Sequence, residues 1–204
     1  MSGIVIEGVT GAGKTETLRA LTRDPRFGQL LAQGRVFSED QTFGEVMAEI
    51  STDALSTQTH LWRMHKILET GDLSHGFVLE RFHLSYYALL PYWHLYESID
   101  RELANLDTHL VLLVVPESLQ STRCLFRTDR SSEWPTKMAH HFGSVDAATC
   151  AIRDSQRRRL EALKRTRLRS TVIDTTDQHW SDYSDSIINA WIAANSGPSL
   201  GSAG

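Results

Sequence analysis

Five short stretches of the chain are apolar or β-branched without clean alternation: Gly3–Glu7 (GIVIE), Arg35–Glu39 (RVFSE), Phe77–Glu80 (FVLE), Leu110–Val115 (LVLLVV) and Thr171–Asp174 (TVID). Strands covered on both faces need this continuous hydrophobicity, so the pattern predicts a parallel sheet with helices on either side. Between these stretches the period lengthens. Lys14 to Asp24 predicts a helix that stops before Pro25. Leu61, Met64, His65 and Leu68 recur at i, i+3, i+4 and i+7, with Arg63, Lys66 and Glu69 elsewhere on the wheel. Leu84, Ala88, Leu95, Ile99 and Leu103 form another apolar stripe, which Pro91 kinks or restarts. Ile152 to Leu168 predicts a strongly basic helix. Strands alternating with helices imply an α/β fold of right-handed β-α-β units.

The chain has 204 residues, enough for one medium α/β domain with a sizeable core. No composition break divides it, so residues 1–194 read as a single domain. The small, polar 195–204 segment (NSGPSLGSAG) reads as a flexible tail. A net charge of -4 gives no electrostatic reason to expect a nucleic-acid or anionic-membrane partner. The longest apolar run, Leu110–Val115, is far short of the ~20 residues of a membrane span, and no secretory pattern opens the sequence. Two cysteines, Cys124 and Cys150, imply no disulfide framework and read as inert packing in a reducing compartment. The expected location is cytoplasmic.

The strongest chemical signal is Gly8-Val9-Thr10-Gly11-Ala12-Gly13-Lys14-Thr15, a full match to G-x-x-x-x-G-K-[ST] (Walker A). It follows a predicted strand and opens a predicted helix, the context that separates a phosphate loop from a chance glycine-rich turn. Glycines let the backbone close around an anion, and the loop and helix-start N–H groups face it along a favourable dipole. Gly8, Gly11, Ala12, Gly13, Lys14, Thr15 and Glu16 are therefore expected at an ATP donor. Lys14 would touch the β- and γ-phosphates, and the Thr15 hydroxyl would ligate Mg²⁺. A GTPase switch protein should also carry Asp-x-x-Gly and Asn-Lys-x-Asp, and neither occurs. A motor or AAA-type ATPase needs an acidic residue ending an apolar run, whereas Leu110–Val115 ends in Pro116.

Taken together, the sequence resembles the P-loop nucleoside and nucleotide kinases, in particular thymidylate kinase and deoxynucleoside kinase. IVIEGVTGAGKT is similar to both branches. Phe77-Val78-Leu79-Glu80-Arg81-Phe82, followed by Ser85-Tyr86-Tyr87-Ala88, resembles their strand-3 motif. Thr42, Gly44 and Glu45 match the Thr-x-x-Gly-Glu element of thymidylate kinases, and Ile173-Asp174-Thr175-Thr176 looks like the last-strand ending of the group. Ser38-Glu39-Asp40 stands where thymidylate kinases have Arg-Glu-Pro, and Phe82 replaces the strand-3 Tyr or Ser. The resemblance implies a P-loop kinase fold, a five-stranded parallel sheet with helices on both faces. It also implies Mg²⁺-dependent transfer of a γ-phosphoryl group to a small-molecule acceptor, a nucleoside or nucleoside monophosphate. A kinase for a non-nucleoside hydroxyl, such as an antibiotic or sugar, and a regulatory NTPase are the alternatives. A homodimer is left open.

Phosphoryl transfer needs positioning and charge neutralisation, and candidates sit at suitable places. Glu80, ending strand 3, is expected to hold Mg²⁺ directly or through water. Arg81 would face the acceptor or its phosphate. Glu39, read as the end of strand 2, is the general base in the deoxynucleoside kinase reading, with Asp40 competing for the role. Arg123, Arg127 and Arg130, spaced i, i+4, i+7, would present three guanidinium groups on one helical face, and the segment at about 117–135 resembles the LID of nucleoside and nucleotide kinases. The alternative is a solvated helix paired with Asp129 and Glu133. Trp62, Tyr86, Tyr87 and Trp93 read as core aromatics, and the histidines form no zinc set. The basic run from Arg153 to Arg169 reads as a solvated helix face.

Overall fold

The computed structural model describes residues 3–31, 34–43, 54–127 and 132–195. Five strands, β1 (Gly3–Gly8), β2 (Arg35–Phe37), β3 (Phe77–Glu80), β4 (His109–Val114) and β5 (Arg169–Asp174), form one parallel sheet. The order across it is β2-β3-β1-β4-β5. β1 is central: the next strands in sequence build out on one side of it, and the chain then crosses to the other. The strand order reverses there, which leaves a crevice at the carboxyl end of β1.

Alternating side chains of the central strands feed two cores. Ile4, Ile6, Val78, Val111 and Leu113 pack on one face with Leu21 of α1 (Lys14–Arg23) and with Ile187 and Trp191 of α10 (Trp180–Asn195). Val5, Leu79 and Leu110 face the other way. There they meet Met64 of α4 (Ala54–Thr70), Leu84 of α5 (His83–Leu89), and Ile99 and Leu103 of α6 (Glu97–Asn105). Both faces are thus covered by helices, which is why β1 is apolar at Ile4, Val5 and Ile6 without alternation. Short helices α2 (Pro25–Leu30), α3 (Glu39–Thr42) and α7 (Glu117–Gln120) and the longer α8 (Trp134–Phe142) and α9 (Val145–Ala162) complete the set. Among the described residues no helix is long and apolar enough to cross a membrane.

Pro91 restarts the chain: α5 ends at Leu89, a 3₁₀ turn covers Trp93–Leu95, and α6 begins at Glu97. Beyond small extensions of β1 to Gly8 and of β5 back to Arg169, four differences from the sequence expectation each have a local reason. β2 stops at Phe37 because Ser38 opens α3, its N–H donating to Gln41 Oε1 at 3.0 Å. Glu39 therefore starts a helix and does not end a strand. β4 ends at Val114 because both backbone groups of Val115 turn to the Gln156 side chain, at 2.9 Å each. The basic helix lies earlier, at Val145–Ala162: Ser144 caps its start, accepting from Ala147 N–H at 3.0 Å. Beyond Ala162, Thr166 and the Arg167 N–H turn aside to the Asp100 carboxylate.

The fourth difference concerns the expected arginine face. After α7 the backbone widens into a π-helical turn over Ser121–Leu125 and breaks at Phe126. Arg123 and Arg127 consequently do not share an α-helical face, and Arg130 lies outside the described residues. So do Gly44 and Glu45, Asp129, Ser131 and the 196–204 segment.

Candidate functional site

The turn from β1 into α1 crosses the crevice at the switch point. Gly11 and Gly13 take φ of 75° and 88°, a left-handed region that costs an L side chain energy. Space forbids one as well. A Cβ on Gly11 would lie 2.2 Å from the Arg123 carbonyl oxygen, and one on Gly13 would lie 2.2 Å from the Trp180 ring. The loop encloses one side of a cleft of about 470 Å³. Thr10, Gly11, Gly13, Lys14, Thr15 and Glu16 line that side, and Glu39, Arg81, Arg123 and Arg127 line the others. Gly8 pairs with Leu113 within the sheet. Ala12 is fully buried, its N–H donating to Val9 O at 3.2 Å.

Lys14 lies at the floor. Its side chain is 5% exposed, and its amine donates to the Val9 carbonyl at 3.2 Å and stands 3.9 Å from Glu39 Oε2. Burial, with the Arg81 charge adding to it, outweighs Glu39 and Glu80 and lowers the Lys14 pKa to about 7. Glu39 Oε2 is also 3.2 Å from Arg81 Nε. One carboxylate oxygen thus sits between an amine from the loop and a guanidinium from the end of β3.

Below that pair, Thr15 Oγ1 donates to Glu80 Oε1 at 3.2 Å, and the Glu39 N–H approaches Glu80 Oε2 at 3.4 Å. Thr42 Oγ1 donates to the Glu80 backbone carbonyl. Glu80 therefore joins the start of α1, the end of β3 and the start of α3. A divalent cation fits here on the chemistry of the donors: a hydroxyl and a nearly buried carboxylate are hard oxygen ligands, as Mg²⁺ prefers.

Arg123 is held. Its guanidinium donates to the carbonyls of Thr175 (2.5 Å) and Gly11 (3.1 Å), pinning the loop to the end of β5. Its pKa is lowered chiefly by burial. Five further cleft residues, Arg19, Thr122, Phe126, Gln178 and Trp180, carry no signal in the sequence. Phe126 is 52% exposed, which is unusual for its type and consistent with an open apolar wall. In sequence Glu7 reads only as a strand residue and Arg159 only as part of a solvated face, yet both are buried. A carboxylate ending an otherwise apolar strand was the available clue.

No protein-family model matches the sequence, and no characterised protein matches it significantly by sequence. Solved structures do match. YorR protein from Bacillus subtilis, in complex with phosphorylated GDP, is 14% identical, with 95% of this chain and 97% of that chain covered and a TM-score of 0.58. Deoxyadenosine kinase from M. mycoides, with dCMP and dCDP bound, is 15% identical over 94% of this chain and 99% of that one, TM-score 0.57. Thymidylate kinase from Ehrlichia chaffeensis is 13% identical over 93% and 98%, TM-score 0.53. The expected fold is therefore the observed one: the chain has the P-loop fold of nucleoside and nucleotide kinases, along nearly its whole length and theirs.

Proposed function

We propose that this protein is a Mg²⁺-dependent kinase that moves the γ-phosphoryl group of ATP onto a hydroxyl of a small acceptor, a nucleoside in the first instance. The observation that carries this reading is Glu39, whose carboxylate stands 3.9 Å from the Lys14 amine and 3.2 Å from Arg81 Nε. A nucleoside monophosphate would bring its phosphate against that carboxylate, and like charges at contact oppose binding. A hydroxyl acceptor instead needs a base at that point. This favours the nucleoside over the monophosphate.

In this scheme the loop N–H groups, in the field of α1, bind the polyphosphate and Lys14 neutralises its terminal oxygens. Thr15 and Glu80 would hold Mg²⁺, which would supply positive charge against the negative charge that develops on the transferring group. Donor binding draws Lys14 to the phosphates and leaves Glu39 free to face the acceptor. The hydroxyl proton passes to Glu39, the oxygen bonds to the γ-phosphorus, and the bond to the β-γ bridging oxygen breaks to release ADP. Arg81 orients the transferring group, while Arg123 braces the loop and Arg127 borders the donor cleft. Trp180 and Phe126 offer apolar surface for the donor base.

The test is transfer of label from γ-labelled ATP to a panel of deoxynucleosides, their monophosphates and hydroxylated metabolites. Labelled nucleoside monophosphate is the expected product. Label appearing only as inorganic phosphate would favour a regulatory NTPase instead.

A further inference from the structure

Behind the cleft, outside the residues assigned so far, lies a buried charge network centred on Glu7, the residue before the first loop glycine. Glu7, Ser85 and Arg159 are 0%, 0% and 3% exposed. Glu7 Oε1 accepts the backbone N–H groups of Phe82 (2.8 Å) and Ser85 (3.1 Å), and Glu7 Oε2 accepts the Ser85 hydroxyl (2.6 Å). Arg159, reaching in from α9, places Nε 3.6 Å from Glu7 Oε2 and donates through Nη2 to Ser85 Oγ at 3.0 Å. Its pKa falls to about 10, burial outweighing the Glu7 charge.

A buried carboxylate costs several kcal/mol to desolvate, so four contacts to one side chain form a device that fixes something. What they fix is the turn carrying Arg81. That residue has φ of 54°, a left-handed conformation for a non-glycine residue. Such strain costs of order 1–3 kcal/mol and persists only where the surroundings impose it. Here the constraint comes from both sides: the Arg81 N–H donates to Ile6 O at 2.9 Å, and the next N–H, of Phe82, goes to Glu7. Held this way, Arg81 turns back toward Glu39.

We infer that Glu7, clamped by Ser85 and Arg159, is a positioning residue that holds Arg81 in its strained backbone conformation over the reaction cleft. Because Glu7 immediately precedes Gly8, the same side chain ties the acceptor-side guanidinium to the base of the phosphate loop. The inference rests on the proposed phosphoryl transfer, in which Arg81 orients the transferring group.

The experiment is a double-mutant cycle on single-turnover transfer from γ-labelled ATP, using Glu7→Gln, Arg81→Ala and the pair. Glu7→Gln is expected to lower the transfer rate by about ten- to a hundredfold while the ATP KM changes by less than about twofold. In the Arg81→Ala background the same substitution should cost less than about twofold, because the residue it positions is gone. Equal losses with and without Arg81, or a loss confined to melting temperature, overturn the inference and leave the kinase reading standing. If Glu7→Gln does not fold, Ser85→Ala takes its place in the cycle with the same pattern at smaller amplitude. Absence of transfer from the unaltered protein overturns the kinase reading and the inference together.

Discussion

Glu39 Oε2 stands 3.9 Å from Lys14 Nζ, so the base of the proposed reaction and the amine of the proposed phosphate loop are paired across the cleft. The amine is nearly buried, and the pairing is too long and too exposed on the Glu39 side to offset its desolvation. Hence the amine titrates near neutrality, at about 7, where free lysine titrates at 10.5.

A proton balance follows. Between pH 7 and 10.5 the unfolded chain binds a proton that the folded chain has shed, so stability rises with pH across that window. The burial of Lys14 opposes folding fully below pH 7. A polyphosphate would restore the proton, so Mg·ATP binding at pH 8 should take up close to one proton per site, measured with an indicator dye in weak buffer. Uptake should fade below about pH 6 and vanish in Lys14→Met.

Glu39→Gln removes the proposed proton acceptor but keeps the shape of the side chain. Transfer to a hydroxyl acceptor should fall by about 10²- to 10⁴-fold, with ATP affinity nearly unchanged. Retained activity on any acceptor would remove Glu39 from the chemistry.

Gly11→Ala sets a methyl group 2.2 Å from the Arg123 carbonyl oxygen, at φ of 75°. Backbone cannot yield there as a flexible side chain could. A loss of about 1–3 kcal/mol in thermal or urea unfolding is expected, with weakened ATP binding.

Asp100 tests the other end of the sheet. Its carboxylate lies 3.3 Å from the fully buried His83 ring and accepts from Thr166 and the Arg167 N–H at 2.9 Å. Burial pushes its pKa up, but these partners prevail and it lies below the ordinary 3.8. Its contribution is therefore present above pH 3.8 and is lost as pH falls through the lowered value. Asp100→Asn should cost about 2–4 kcal/mol by urea unfolding at neutral pH, without altering ATP affinity.

The sheet was legible because burial on both faces writes itself as unbroken apolar runs, and Phe77–Glu80 was located to the residue. The loop was legible because its glycines and lysine answer local requirements. Less visible was anything decided by a distant partner. Glu39 reads as the end of a strand until Gln41 is seen to cap a new helix there. The i, i+4, i+7 arginines presume an α-helix that the π turn at Ser121–Leu125 denies. Arg159 shares its helix with Arg153, Arg157 and Arg158, none of them buried, and its burial follows from meeting Glu7, 152 positions away along the chain, a contact no local pattern encodes.

Calorimetric titration of the folded protein with Mg·ATP, alongside Lys14→Met, tests the phosphate cradle most directly. The account predicts one saturable site per chain, weakened at least about tenfold when the amine is removed. Absence of heat with any Mg²⁺-bound nucleoside triphosphate, or equal affinity in the two proteins, would contradict it.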